Sequence, residues 1–325
     1  MHLSNTFAEL LPKINRTNFE SVALDLFKYQ ARHNDLYGEF IKARGINWES
    51  VTKLSQIPFL PVEFYKDHHI VSGKWQAETY FKSSGTTGSS RSTNYVKSLE
   101  FYHNVSRSIF EMNYGGLKNF VLLALLPSYL DQGDSSLISM IDFFINSTGD
   151  ARSTYISPEK NVKNQIRQVE GKKVLLIGVA YALLDLSELI SLKQQNLMVM
   201  ETGGMKGRKK EMVREELHRM LKGSFNVDKI YSEYGMTELC SQAYGESGSF
   251  VCPPWMRILV REVEDPFNLL GHGRTGALNI IDLANIDTCA FLETKDLGQI
   301  NPDGSFQVLG RMDNSDIRGC NLLMS

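Results

Sequence analysis

The chain has 325 residues, a net charge of −2, and 42% hydrophobic against 22% charged residues, which fits a globular protein with one large or two modest cores. That balance speaks against a general nucleic-acid binder, whose footprint is basic. Cys240, Cys252, Cys289 and Cys320 include no CxxC pair, so a disulfide scaffold and a zinc site are not expected. No signal peptide is expected from the first residues, and the longest apolar stretch, 120–127, is too short for a membrane span. A reduced, cytoplasmic enzyme is the expectation.

Residues 1–80 read as a helical beginning. Thr17-Asn18-Phe19-Glu20 fits a capping box, and Phe19, Val22, Ala23, Leu26 and Phe27 follow at helical spacing. Pro58 and Pro61 then break regularity, since each removes a backbone donor. Residues 81–249 read as an α/β part that binds nucleotide. Its predicted elements are a strand at 120–126, a strand at 174–179, a helix at 180–192 and a strand at 197–201. A helix within 208–225 carries Val213, Leu217, Met220 and Leu221 on one face, and a strand follows at 229–232. That alternation implies right-handed crossovers and a mostly parallel sheet. From 250 to 325 the pattern changes to a β-rich part with a C-terminal tail. Strands are predicted at 257–263, 277–283, 291–294 and 306–309, with Gly, Asn and Asp turns between them.

Chemistry concentrates in a few segments. Ser83-Ser84-Gly85-Thr86-Thr87-Gly88 follows a short strand-like run. Its glycines let backbone N–H groups turn inward, and its hydroxyls add donors, which suits phosphates. A flexible polar loop is the plainer reading, and the Walker A spacing is absent. Next, Tyr234-Gly235-Met236-Thr237-Glu238 closes a predicted parallel strand. An aromatic ring for a purine, a hydroxyl for a phosphate and a carboxylate for Mg²⁺ stand there within five residues, at the strand end where open α/β sheets bind ligands. The alternative makes Tyr234 and Met236 core residues and Glu238 a solvated helix start. Glu201-Thr202-Gly203-Gly204 ends the preceding strand in a similar loop. Finally, Asp296-Leu297-Gly298 and Gly310-Arg311-Met312-Asp313 offer a carboxylate for ribose hydroxyls and a guanidinium nearby. His2, His33, His68, His69, His103, His218 and His272 are scattered and read as surface or structural residues.

In this order the segments resemble the AMP-forming adenylating enzymes. The likeness implies the α/β large domain of those enzymes, with doubly wound sheets and a β-rich C-terminal part. It implies ATP as substrate, with phosphates wrapped by Ser83, Ser84, Gly85, Thr86, Thr87 and Gly88. Adenine falls to Gly203, Gly204 and Tyr234, with Gly235 beside them in the nucleotide site, the α-phosphate to Thr237, Mg²⁺ to Glu238, and ribose to Asp296 and Arg311. Two departures stand out. Arg91 and Ser92 occupy the place of a usual lysine, the first lysine being Lys97, and the small C-terminal domain is expected to be absent because the chain stops at Ser325.

A closer resemblance, to the acyl-protein synthetase family, rests on the 57–63 run Ile-Pro-Phe-Leu-Pro-Val-Glu, on 201–208, and on Ser315-Asp316-Ile317-Arg318-Gly319-Cys320. It implies activation of a fatty acid as acyl-AMP, transfer to Cys320, and delivery to an acyl-protein reductase. The rival expectations are a CoA or carrier-protein ligase and a noncatalytic nucleotide-binding subunit.

Overall fold

A computed structural model describes residues 3–84, 90–127, 133–157, 162–192, 195–203 and 213–312. Helix α1 (Leu3–Leu10) precedes α2 (Phe19–His33) and α3 (Asp35–Ala43). In α2, Phe19, Ala23, Leu26, Phe27, Gln30 and Ala31 are buried, the stripe expected of a helix covering a core. The predicted capping box does not form. Asn18 is the N-cap and makes no side-chain cap bond. Its side-chain Oδ1 instead accepts from Asn15 N (2.8 Å), and the Thr17 hydroxyl donates to Asn15 Oδ1 (2.6 Å). Local side-chain turns have taken the groups the box needed. Asn34 ends α2 and caps α3, accepting from Tyr37 N at 3.0 Å.

The proline-rich run does not exclude pairing: β1 (Leu60–Pro61) lies parallel to a later strand, β14 (Phe291–Ile300). There follow α4 (Phe64–Asp67), the antiparallel pair β2 (Thr79–Lys82) and β3 (Thr93–Val96), and α5 (Leu99–Tyr114). Next come β4 (Phe120–Leu125), α6 (Ser136–Thr148), β5 (Thr154–Tyr155), α7 (Val162–Arg167), β6 (Lys173–Val179), α8 (Ala180–Leu189), β7 (Leu197–Thr202), α9 (Arg214–Phe225) and β8 (Ile230–Tyr234). The chain then runs through β9 (Ala243–Glu246), β10 (Ser249–Val251), β11 (Met256–Arg261), β12 (Leu269–Leu270), β13 (Gly276–Asp282), β14 (Phe291–Ile300) and β15 (Phe306–Arg311). The predicted helix at 180–192 ends early, because Ile190 is extended. The part of the 208–225 helix before Val213 lies outside the described residues. Helices α5 and α6, and strands β9 and β10, had no counterpart in the sequence reading.

The described residues form two compact units. One takes those up to Leu99, Thr237–Ser241, and those from Val251 onward; the other takes Glu100–Met236 and Gln242–Phe250. In the second unit the strand order is β9-β8-β7-β6-β4-β5. β4 to β8 pair in parallel and β9 runs antiparallel to β8. Burial along the whole of β4 is what a parallel sheet covered on both faces requires.

In the first unit the order is β12-β11-β13-β14-β15, all antiparallel neighbours, with β1 beside the start of β14. Helices α2 and α3 close over β14 through aromatic contacts: the Phe291 ring lies 5.7 Å from Phe27 and 6.3 Å from Tyr37. The Tyr37 hydroxyl donates to the Pro58 carbonyl at 2.6 Å.

One glycine of β14 has a steric reason. A Cβ on Gly298 would sit 2.1 Å from the Gln307 carbonyl oxygen, so the strands could close only by parting. Gly298→Ala is therefore expected to cost about 2 kcal/mol or more of stability, read as a lowered thermal midpoint by circular dichroism.

Candidate active site

The serine-rich loop springs from the open end of the β2–β3 pair, and its base is closed by its own residues. Ser83 N donates to the Ser92 carbonyl (3.0 Å), and Ser92 N donates to Ser83 Oγ (2.9 Å). Arg91 donates from Nε to the Ser83 carbonyl and from Nη2 to the Lys82 carbonyl (3.4 Å). The Arg91 guanidinium thus holds the loop base. Ser84 follows Ser83 in the described chain, whereas Gly85, Thr86, Thr87 and Gly88 lie outside the described residues.

From β3, Asn94 Nδ2 donates to the Thr237 carbonyl at 2.8 Å. Thr237 is half-buried, and Glu238 beside it sits in a turn with 6% exposure, which sets aside the solvated helix start. Burial is the main force pushing the Glu238 carboxyl up, with the Asp296 charge adding to it; a hydrogen bond from Ser92 and the Arg311 charge pull it down. Asp296 and Arg311 face each other in register across β14 and β15, with Nε and Oδ1 4.0 Å apart. Arg311 is exposed, so this pair adds little to stability. Within the first unit, then, residues predicted from distant motifs meet: Ser83, Thr237, Glu238, Asp296 and Arg311. The sequence reading missed Ser92 as a partner of Glu238, and Asn94 as the anchor of Thr237. A polar residue at every second position, Ser92 then Asn94, was the available signal.

The second unit holds the other predicted residues. β7 and β8 pair Thr202 with Glu233, so the loops at Gly203 and Gly235 leave from neighbouring strands. Gly203 has φ 68°, which favours glycine. Tyr234 is 9% exposed, its ring 5.7 Å from Phe250, and Gly235 is exposed. Gly204 lies outside the described residues. Glu233 was not foreseen. The Thr202 hydroxyl donates to its Oε2, and a Cβ on Gly235 would meet its Oε1 at 2.6 Å. Burial, helped by the Glu201 charge and opposed by Thr202, pushes its carboxyl up from 4.5 to about 7. Glu201 itself lies 3.2 Å from Arg214 Nε and 3.6 Å from His218 Nε2.

The raised Glu233 carboxyl has a signed consequence. Between about pH 4.5 and 7 the native protein keeps this proton and the unfolded chain releases it. Stability from this group is therefore full below that window and falls as pH rises through it. Glu233→Gln is expected to exceed wild type by about 3 kcal/mol near pH 8, with the gap closing towards pH 4. Thermal melts across that range check it.

The sequence model for the family described as "Acyl-protein synthetase, LuxE" matches residues 12–325. The chain belongs to the acyl-protein synthetase family. A comparison with curated protein sequences finds no match. Among solved structures, an open form of 2-hydroxyisobutyryl-CoA ligase with 2-HIB-AMP and CoA is 11% identical, with a TM-score of 0.67 over 92% of this chain and 70% of that one. ATP-bound MatB from Rhodopseudomonas palustris is 17% identical, with a TM-score of 0.55 over 72% of this chain and 48% of that one. The chain thus spans about half the length of MatB. At such identities the likeness is one of fold, and it bears out the adenylating-enzyme α/β class expected from the sequence.

In this member of the family the described thiols are not poised to attack. Burial, then the Asp282 and Asp287 charges, pushes Cys240 well above the usual thiol range; burial and Asp282 do the same to Cys252. Cys289, held by burial, is pushed up to about 12. A thiol so raised stays protonated and a poor nucleophile. Cys320 lies outside the described residues. Among the described residues, no helix is long and apolar enough to cross a membrane.

Proposed function

We propose that this acyl-protein synthetase activates a fatty acid with ATP and carries the acyl group on Cys320. The observation behind this reading is the meeting of Ser83, Ser92, Thr237, Glu238, Asp296 and Arg311 in one unit. It joins the base of a phosphate-type loop to a buried carboxylate and to a carboxylate–guanidinium pair.

The first step joins two anions. A carboxylate oxygen of the acid attacks the α-phosphorus of ATP, the bond to the β-phosphate breaks, and pyrophosphate leaves. Little covalent work falls to the protein, which must orient the reactants and offset developing charge. The Ser83 loop and Thr237 would donate to phosphate oxygens, and Asp296 with Arg311 would take the ribose hydroxyls.

The residues also fit Mg²⁺. Burial and the neighbouring Asp296 charge both disfavour ionised Glu238, and a nearby cation would relieve that. Magnesium with nucleotide needs only one or two protein carboxylates, since phosphates and waters supply the rest. When bound, the ion would neutralise phosphate charge at Glu238.

In the second step the Cys320 sulfur attacks the acyl carbon. The carbon–oxygen bond to AMP breaks, AMP leaves, and the thiol proton passes to solvent. The thioester would then serve a reductase partner in a reduced compartment such as the cytoplasm. The alternative acceptor, CoA or a carrier protein, is distinguished by its product. The test supplies ATP, magnesium and saturated acids from octanoic to octadecanoic. Acid-dependent ATP–pyrophosphate exchange with protein-bound label supports the proposal. Exchange with stoichiometric acyl-CoA on adding CoA favours the alternative, and no exchange with any acid refutes both.

A further inference from the structure

The segment that carries Glu238 is gripped from behind by a buried polar cluster that the reaction above does not use. Asp282, at the end of β13, is 0% exposed. Its Oδ2 accepts from Cys240 N (3.1 Å) and Ser241 N (2.8 Å). Its Oδ1 accepts from the Ser241 hydroxyl (2.7 Å) and Ala284 N (3.0 Å). Asn285, 3% exposed, accepts from Cys240 N through Oδ1 at 2.7 Å. Its Nδ2 donates to the Glu238 carbonyl (2.7 Å) and the Cys289 carbonyl (3.0 Å). The backbone around Glu238 is thus fixed at its carbonyl and at the two amides of Cys240 and Ser241.

The grip is itself held. Gln30 of α2, 0% exposed, donates to the carbonyls of Asn285 (2.8 Å) and Ile286 (3.1 Å) and accepts from Ala290 N (2.9 Å). Thr288 in the same loop receives hydrogen bonds at its carbonyl from Asn34 Nδ2 (3.1 Å) and the Ser72 hydroxyl (2.5 Å). Buried polar groups satisfied this fully define one arrangement, because each alternative strands a donor or acceptor away from water.

We infer that Asp282 and Asn285 are positioning residues for the Glu238 carboxylate, and that Gln30 keeps them in register. The inference rests on the proposed role of Glu238. A side chain pivoting on a loose backbone would wander by ångströms, and a misplacement of about 1 Å costs on the order of a hundredfold in rate. The cluster removes that freedom without touching substrate.

The test compares Asn285→Ala with Trp255→Phe. The latter removes an indole donor to Ser241 Oγ (2.9 Å) together with part of a buried ring and serves as the stability control. Acid-dependent exchange is measured with the best saturated fatty acid from the panel, and Mn²⁺ held with ATP is followed by electron paramagnetic resonance. Asn285→Ala is expected to lower kcat about 10- to 100-fold, leave KM for the acid near wild type, and weaken the Mn²⁺ signal. Trp255→Phe should lower the melting temperature and change neither readout. Adding Asn285→Ala to Glu238→Ala should cost nothing further, because both act through one carboxylate. Wild-type kcat in Asn285→Ala, equal losses in Trp255→Phe, or full multiplication in the double variant would overturn the inference. If Asn285→Ala does not fold, Gln30→Met must still reduce kcat about threefold or more, and normal turnover there overturns it. Should Glu238→Ala exchange like wild type, the adenylation reading of the site fails instead.

Discussion

Glu238→Ala is expected to cut acid-dependent ATP–pyrophosphate exchange by roughly a hundredfold or more, the usual loss for a charge-stabilising group in a preorganised site. The same change should leave the melting temperature unchanged or higher. Burial disfavours the ionised carboxyl, and the Asp296 charge adds to that, so near neutral pH its removal relieves desolvation that the native state bears. A residue kept for packing would behave in the opposite way, losing stability with activity following. Functional sites hold such costly groups because the ligand, when present, supplies the missing compensation. Exchange rates and melts on the same preparations separate the two outcomes. A variant with wild-type exchange refutes the metal assignment.

Cys320→Ser should abolish a hydroxylamine-sensitive acyl label and leave exchange intact, since adenylation precedes the thiol. The choice of Cys320 rests on sequence and chemistry together. It stands seven positions after Asp313, the hinge residue that the family resemblance implies, and that length of chain reaches at most roughly 23–25 Å. Arg318 stands two residues away, and a neighbouring cation favours the thiolate. Cys240 and Cys252, by contrast, are held protonated by burial and by Asp282. Labelled fatty acid with ATP, followed by gel and hydroxylamine treatment, gives the answer. Persistent label in Cys320→Ser with loss in Cys240→Ser would mean that the acyl group sits on the other sulfur.

The parallel strands were legible because runs such as 120–126 and 174–179 are apolar throughout, and only a sheet covered on both faces asks for that. Helix α6 was not. Its residues Ser136–Thr148 mix apolar and polar side chains, with Met140, Ile141, Phe144 and Thr148 buried, and the Ser135 cap that starts it (3.4 Å to Ile138 N) is a single weak signal. At the site, Glu238, Asp296 and Arg311 were found because each stands in a recurring motif. Ser92, Asp282 and Asn285 were missed for the opposite reason. Each is one polar residue in an unremarkable stretch, and its role depends on what the fold sets beside it. Asp282 ends an apolar strand, where a lone carboxylate reads as the start of a turn. Nothing local says that it accepts hydrogen bonds from residues some forty positions earlier.

The bond from Gln30 to the Asn285 carbonyl spans 255 positions of sequence, and this sets a schedule for synthesis on the ribosome. At about 5–20 residues per second, the partner of Gln30 emerges on the order of 10–50 s after Gln30 itself. Until then, helices α2 and α3 have no Phe291 to cover and no loop to brace. Contacts of such long range also close late in folding, after shorter loops have formed. Catalytic competence should therefore appear only when the β-rich end is in place. A nascent chain stalled before residue 280 would carry the serine-rich loop and Glu238, yet lack both the residues proposed to aim the carboxylate and the pair proposed to take the ribose.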